Sequence, residues 1–401
     1  MIVSTSFFLS HTLVDPNVDC HLAQSLFSFA ENRNLQCNCQ WNIGGESELQ
    51  PSGVHAGVTM VLLLLPFDFG TIILNTHFGF GGGWEGAKVI ISKILSVLCV
   101  SAAKGVNMLK VGYIGLGLMG KSIARNILKA GFPLVVHNRS RAAVDELVAE
   151  GATMANSPKE VAAQVDVVFT NLPDTPDVEK VVLEENGIIE GAHDGLIYID
   201  NSTIKPASAR MIAEKLAEKK VFALDAPVSG GDIGARNGTL TIMVGGDASS
   251  LEKVMPIFMA MGKTVTHVGD VGAGQVAKAA NQIMVAAQMV AMGELLVFSK
   301  KAGVDPRKVV DAIKSGAAQC WTLDVKPPRL FDGNRNPGFK AYMQLKDLRI
   351  ILDTAKEYDI PVSGTRENAN LFQQMIDLGM GELDNSAVVG VIEKLAGVEI
   401  V

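Results

Sequence analysis

From Leu109 onward the chain alternates short apolar runs with stretches of helical period. The run "LKVGYIG" (109–115) is rich in strand-forming residues and ends at glycine. It leads into "MGKSIARNILKAG" (119–131), where Ile123, Ile127 and Leu128 fall on one helical face and Gly131 stops the pattern. Further strand-like runs follow at "FPLVVH" (132–137), "DVVFTNLP" (166–173), "LIYIDNST" (196–203) and "VFALDAPVSGG" (221–231), with the helical "PASARMIAEKLAEKK" (206–220) among them. Strands separated by helices predict an α/β domain with a Rossmann-type, doubly wound parallel sheet over residues 108–270.

The pattern changes after residue 270. "GAGQVAKAANQIMVAAQMVAMGELLVFSKKAG" (272–303) predicts one long helix, apolar enough to be buried on most sides. Helical patterns recur at 306–315, about 340–357 and about 384–396, with no strand signal of comparable strength. Residues 271–401 are therefore expected to form an all-α C-terminal domain.

Residues 1–107 are a different kind of sequence. They carry 11 charged side chains, four basic and seven acidic, against 66 in the remaining 294 residues. Cys20, Cys37, Cys39 and Cys99 lie in this part and only Cys320 beyond it. A lone cysteine in the larger part implies no disulfide framework and fits a reducing, cytoplasmic setting. The apolar stretch 58–74 is broken by Pro66 and Asp68, and 87–103 reads as an amphipathic helix, so a membrane tether is not expected. No targeting signal reads cleanly. Met108 is expected to be the natural start, with 1–107 an extension dispensable for function. The net charge of -7 argues against nucleic acid as a partner.

Candidate chemistry concentrates where strands end. Gly115-x-Gly117-x-x-Gly120, with Leu116, Leu118 and Met119 between the glycines, joins the first strand to the first helix. In that context it reads as a dinucleotide-binding turn. At the end of the second strand, where an NAD site would place an acid on the ribose, stand Asn138, Arg139 and Ser140. A neutral residue followed by a cation and a hydroxyl favours NADP, with NAD still possible. Leu172, Pro173 and Thr203 lie in loops after later strands and are expected to neighbour the cofactor. Ser229, Gly230 and Gly231 fit both a loop for a small carboxylate and a plain glycine turn. Lys278, flanked by alanines and sharing a helical face with Asn281, fits both a functional ammonium and a snorkelling side chain. No His, Asp or Glu set at ligand spacing suggests a metal.

The segments "GYIGLGLMG", "DAPVSGG", "GAGQVAKAANQ" and "LKDL" together resemble the β-hydroxyacid dehydrogenase family, over roughly residues 109–396. That family includes 3-hydroxyisobutyrate dehydrogenases and tartronate semialdehyde (2-hydroxy-3-oxopropionate) reductases. "ENGIIEGA" (185–192), "GTLTIMVGGD" (238–247) and "KAANQ" (278–282) are most similar to the reductase branch. The chain departs from that branch with Asn385 in place of a usual His and without aromatics around Gly390 and Val391. The resemblance implies Lys278 as the catalytic residue, supported by Asn281, and Ser229, Gly230, Gly231 and Asn281 as the substrate's holders. It implies Thr203 and Lys346 as cofactor contacts, and Phe339 is counted with them. The implied reaction is NADPH-dependent reduction of 2-hydroxy-3-oxopropanoate to glycerate. A 3-hydroxyisobutyrate dehydrogenase and a non-catalytic cofactor-binding module are the alternatives, and the presence of Lys278 speaks against the second. The long apolar helix 272–303 implies a homo-oligomer, dimer or tetramer.

Overall fold

The computed structural model describes residues 108–401 and, before them, three short strands. These are β1 (Val3–Phe7), β2 (Cys37–Trp41) and β3 (Val58–Leu62). β1 pairs parallel with β2, and β2 pairs antiparallel with β3. They belong to a unit, Met1–Val106, separate from the unit Asn107–Val401 that carries everything below. The helical reading of 87–103 lies outside the described residues.

In the larger unit, β4 (Val111–Ile114), β5 (Leu134–His137), β6 (Thr153–Met154), β7 (Val167–Thr170), β8 (Ile197–Asp200) and β9 (Phe222–Asp225) form the parallel sheet. Their spatial order is β6-β5-β4-β7-β8-β9, so the chain reverses direction across the sheet at β4. That reversal opens a crevice at the carboxyl ends of β4 and β7. The connecting helices are α1 (Gly120–Lys129), α2 (Ala142–Ala149), α3 (Pro158–Ala162), α4 (Thr175–Leu183), α5 (Ile188–Gly191) and α6 (Pro206–Ala217). Tyr113 of β4 stacks on Phe169 of β7 at 5.7 Å, and Phe169 meets the edge of Phe258 at 6.1 Å. All three are fully buried, so one aromatic column ties the central strands to the helix layer on one side.

The sheet extends further than the sequence pattern predicts. After β10 (Val228–Ser229) and α7 (Gly231–Asn237), β11 (Leu240–Gly246) runs antiparallel to β9. α8 (Ala248–Met261) then returns the chain to β12 (Gly262–Gly269), parallel to β11.

Helices follow from there. α9 (Ala273–Lys301) is the long one, then α10 (Pro306–Ile313), α11 (Trp321–Phe331), α12 (Ala341–Glu357) and α13 (Ser363–Asp377). A 3₁₀ turn, Asn385–Val388, and α14 (Val389–Ala396) complete the chain. The pattern at 384–396 is thus two elements, and α11 and α13 are additional. α11 carries Pro327 and Pro328, residues that cannot donate a helical N–H. α9 is the hub of this region. By length and composition it could span a membrane, but half of its most apolar window is buried inside the fold. A Cβ on its Gly293 would lie 2.9 Å from Ile392, so α14 packs on a notch that only glycine leaves open. Burial is less complete than its composition suggests: Met284 is 57% and Phe298 75% exposed.

Candidate active site

The glycine turn is shaped by two steric demands. Gly115 has φ +97°, open to glycine at little cost, and a Cβ there would overlap the Asn171 carbonyl. A Cβ on Gly120 would overlap the carbonyl oxygen of Gly115, so α1 sits directly on the turn. Gly117 differs. A Cβ there would meet nothing within 4 Å, so its backbone borders open space that a side chain would enter. α1 starts without a side-chain cap and with no acid in its first turn, which leaves its positive end facing that space. A phosphate chain fits such a cradle.

The cleft beyond has a volume of about 750 Å³. It gathers Gly115, Leu116, Gly117, Leu118, Met119 and Gly120, then Asn138, Arg139 and Ser140, together with Leu172, Pro173 and Phe339. Asn138 has a structural duty here. Its Oδ1 accepts the Leu116 N–H at 3.0 Å, and its Nδ2 donates to the Ser140 carbonyl and hydroxyl at 3.0 and 2.9 Å. One amide thus binds the end of β5 to the glycine turn. Arg139 and Ser140 are exposed at the rim, while the neighbouring Arg141 is engaged by Asp145 at 2.9 Å.

A second constellation forms around the start of α9. Asp225, at the end of β9, accepts the Gly272 and Gln275 N–H groups at 2.6 and 2.7 Å and so caps the helix. Gln275 donates to the Ser202 carbonyl at 2.8 Å and accepts the Ile204 N–H at 3.1 Å. These bonds stitch α9 to the ends of β8 and β9. Burial lifts the Asp225 carboxyl to about 6, despite the two N–H groups it accepts.

So anchored, α9 brings Lys278 to the loop after β9. Lys278 is 7% exposed, and its ammonium donates to the Val228 carbonyl at 2.7 Å. Burial lowers its pKa to about 8, with Lys346 adding to the fall and the Asp347 carboxylate opposing it. Ser229 donates to Asn281 Oδ1 at 3.2 Å, so the serine loop and the lysine helix meet.

Two partners are not evident in the sequence reading. Asn281 donates to Gln282 Oε1 at 2.8 Å, and Gln282 donates to Asp347 at 2.6 Å. Gln282 lies four residues after Lys278, on the same helical face, which is the signal that could have found it. Thr203 and Lys346 meet each other: the Lys346 ammonium donates to the Thr203 carbonyl at 2.7 Å and pairs with Asp347 at 2.8 Å. Neither belongs to the lining of the large cleft. Asn385 is 1% exposed, and its amide accepts from Lys326 at 3.3 Å and donates to Gln344 at 3.1 Å.

Residues 110–269 match the family model for the NAD-binding domain of 6-phosphogluconate dehydrogenase. Residues 272–392 match the model described as NAD-binding of NADP-dependent 3-hydroxyisobutyrate dehydrogenase. The 2-hydroxy-3-oxopropionate reductase of Escherichia coli is 41% identical over 288 residues, 72% of this chain and 98% of the reductase. The chain belongs to the β-hydroxyacid dehydrogenase family. Solved structures agree with this. The 3-hydroxyisobutyrate dehydrogenase of Salmonella typhimurium aligns with a TM-score of 0.65 at 29% identity, over 71% of this chain and 99% of that one. Psf3, solved in complex with NADP+ and 2-OPP, aligns with a TM-score of 0.65 at 26% identity, over 70% and 99%. As a β-hydroxyacid dehydrogenase, the chain is an NAD(P)-dependent oxidoreductase, and its open cradle at Gly117 fits that cofactor class.

Proposed function

We propose that the protein reduces 2-hydroxy-3-oxopropanoate to glycerate, with NADPH as the preferred cofactor. The observation that carries this reading is the buried Lys278 ammonium beside the Ser229–Asn281 pair, on a helix pinned to the ends of the sheet. The 41% identity to the Escherichia coli reductase supports the choice of substrate.

The glycine turn and the start of α1 would hold the cofactor's phosphates. Arg139 and Ser140 would meet a 2′-phosphate, and Phe339 would line the same cleft. When bound, the cofactor supplies the hydride that reduces the aldehyde carbon.

Lys278 answers the charge that develops on the aldehyde oxygen. An ammonium has three donors, and the Val228 carbonyl takes one, which leaves two for the substrate. A pKa near 8 keeps the lysine mostly charged at neutral pH yet makes its proton easier to release. The proton passes from Nζ to the nascent alkoxide, and the lysine is left as a neutral amine in a site that tolerates one. Ser229 and the backbone of Gly230 and Gly231 would receive the substrate carboxylate. Asn281, held by Gln282, would orient the oxygen being reduced.

3-Hydroxyisobutyrate oxidation is the second reading, favoured by the likeness to the Salmonella typhimurium structure and by Asn385, whose amide already has protein partners on both sides. The deciding experiment follows NADPH and NADH oxidation by the full chain with tartronate semialdehyde and methylmalonate semialdehyde. Higher kcat/KM with methylmalonate semialdehyde would overturn the substrate assignment. Turnover of neither would overturn the catalytic reading of Lys278.

A further inference from the structure

Away from the lysine helix, the helical region buries an ion pair. Lys326 of α11 and Asp384 lie 2.7 Å apart with side chains 4% and 1% exposed. Both Asp384 oxygens are heavily used. One accepts from Lys326, from the Ser386 hydroxyl at 2.6 Å and from the Ser386 N–H at 3.1 Å. The other accepts the N–H groups of Gly338 at 2.8 Å and Phe339 at 3.3 Å. Burial works against this carboxylate, but Lys326 and the donors around it hold it below its usual value. A buried charge pair costs desolvation, so its role is not explained by stability alone.

The segment it grips is the one that matters to the cleft. Gly338 and Phe339 line the same cleft as the glycine turn. A Cβ built on Gly231 would lie 3.6 Å from the Gly338 carbonyl, so this segment also rests on the serine–glycine loop. Backbone bonds extend the grip: Asp384 N–H to the Arg335 carbonyl at 3.0 Å, Asn385 N–H to the Phe339 carbonyl at 2.8 Å, and Ala341 N–H to the Leu383 carbonyl at 2.9 Å. Lys326 steadies the neighbour too, through its bond to Asn385 at 3.3 Å. The carboxylate of Asp384 is thus the junction between a helix core and a strap that touches both halves of the site.

We infer that Lys326 and Asp384 are positioning residues for the reaction: their buried pair fixes the strap 335–341, setting Phe339 against the cofactor and Gly338 against the substrate loop. This rests on the reading of the large cleft as the cofactor site. Neither residue is required to touch a reacting atom. Asp384 is needed as a carboxylate because an amide offers a single acceptor oxygen, which cannot serve Ser386 and the strap together.

The test uses the full chain and residue-resolved hydrogen exchange with kinetics. Asp384→Asn is expected to speed exchange at Gly338 and Phe339 and to lower kcat/KM for the aldehyde at saturating NADPH by tenfold or more. The same loss is expected in the charge-neutral Lys326→Met/Asp384→Asn protein, whereas Lys326→Arg should keep most of the activity that Lys326→Met loses. A folded Asp384→Asn protein with kcat/KM within twofold of the unmodified enzyme would overturn the inference. Should the variants not fold, the unmodified protein decides. NADPH is expected to slow exchange at Gly338 and Phe339. Slowing at Gly115–Gly120 alone would overturn the positioning role and leave the cleft reading standing. Slowing at neither would overturn the cleft reading, and the positioning role with it.

Discussion

Gln282 donates to Asp347 at 2.6 Å, across the seam between α9 and α12. That one bond aligns two consequences. It fixes the amide that orients Asn281, and it holds a carboxylate near enough to Lys278 to offset part of the penalty for burying its charge. The lysine's proton affinity is therefore set by residues from two helices.

Removing the ammonium separates chemistry from binding. Lys278→Ala is expected to lower kcat by about 100-fold or more, as loss of an oxyanion stabiliser does. NADPH affinity, measured by fluorescence titration, should change little. A variant retaining a tenth of the activity would make Lys278 a packing residue.

The pH profile should report the same group. Reduction needs Lys278 protonated, so kcat/KM for the aldehyde at saturating NADPH is expected to fall as pH rises through about 8. Alcohol oxidation needs the neutral amine and should rise through the same range. Stability follows its own sign. A lysine whose folded pKa is depressed binds fewer protons than in the unfolded chain between about 8 and its ordinary value of 10.5. Its burial penalty is therefore complete below pH 8 and relieved as pH climbs through that window. Urea titrations of wild type and Lys278→Met across this range would check it.

The glycine turn can be divided by substitution. Gly117→Val adds a side chain where no atom lies within 4 Å, so melting temperature should hold while NADPH binding drops by tenfold or more. Gly120→Ala instead drives a methyl into the Gly115 carbonyl and should lower the melting temperature itself. Unchanged NADPH affinity in folded Gly117→Val would remove the phosphates from this cradle.

Cofactor choice should turn on the end of β5. Asn138→Asp can still accept the Leu116 N–H, but it cannot donate to Ser140, and it places a carboxylate where a 2′-phosphate would bind. NADPH binding is expected to weaken by more than ~1 kcal/mol, with NADH affected less. Isothermal titration with both cofactors would show it. Equal catalytic efficiency with NADH and NADPH in the unmodified enzyme would refute the preference for NADP.

Met284 and Phe298 are large, apolar and exposed on α9. A dimer or tetramer that covers them is the expected state. Light scattering should give a multiple of the chain mass, reduced by Met284→Glu/Phe298→Glu. A monomer at micromolar concentration would exclude it.

What the sequence makes readable is local. Gly115, Gly117 and Gly120 are legible because strand, turn and helix are contiguous, and Lys278 because a cation stands out in an apolar helix. The bonds that position these residues are not. Gln282 and Asp347 are separated by 65 positions, Asp225 and Gly272 by 47, and Lys326 and Asp384 by 58. No periodicity marks such pairs, since each is set by packing between elements distant in sequence. β11 escapes for another reason: its apolar run is bracketed by glycines and belongs to an antiparallel addition outside the alternating pattern. α11 escapes because its two prolines mask a helix that tertiary contacts sustain.

The large cleft is lined by both Gly115 and Phe339, which stand 224 positions apart along the chain. Closing it demands a contact between segments far apart along the chain, and such a contact carries a loop-closure cost that local helix formation does not. Most of the helix content can return early in refolding, because helices are built from neighbours. Cofactor binding is expected to return only once that long-range contact is made. During refolding, recovery of activity is therefore expected to lag behind recovery of circular dichroism.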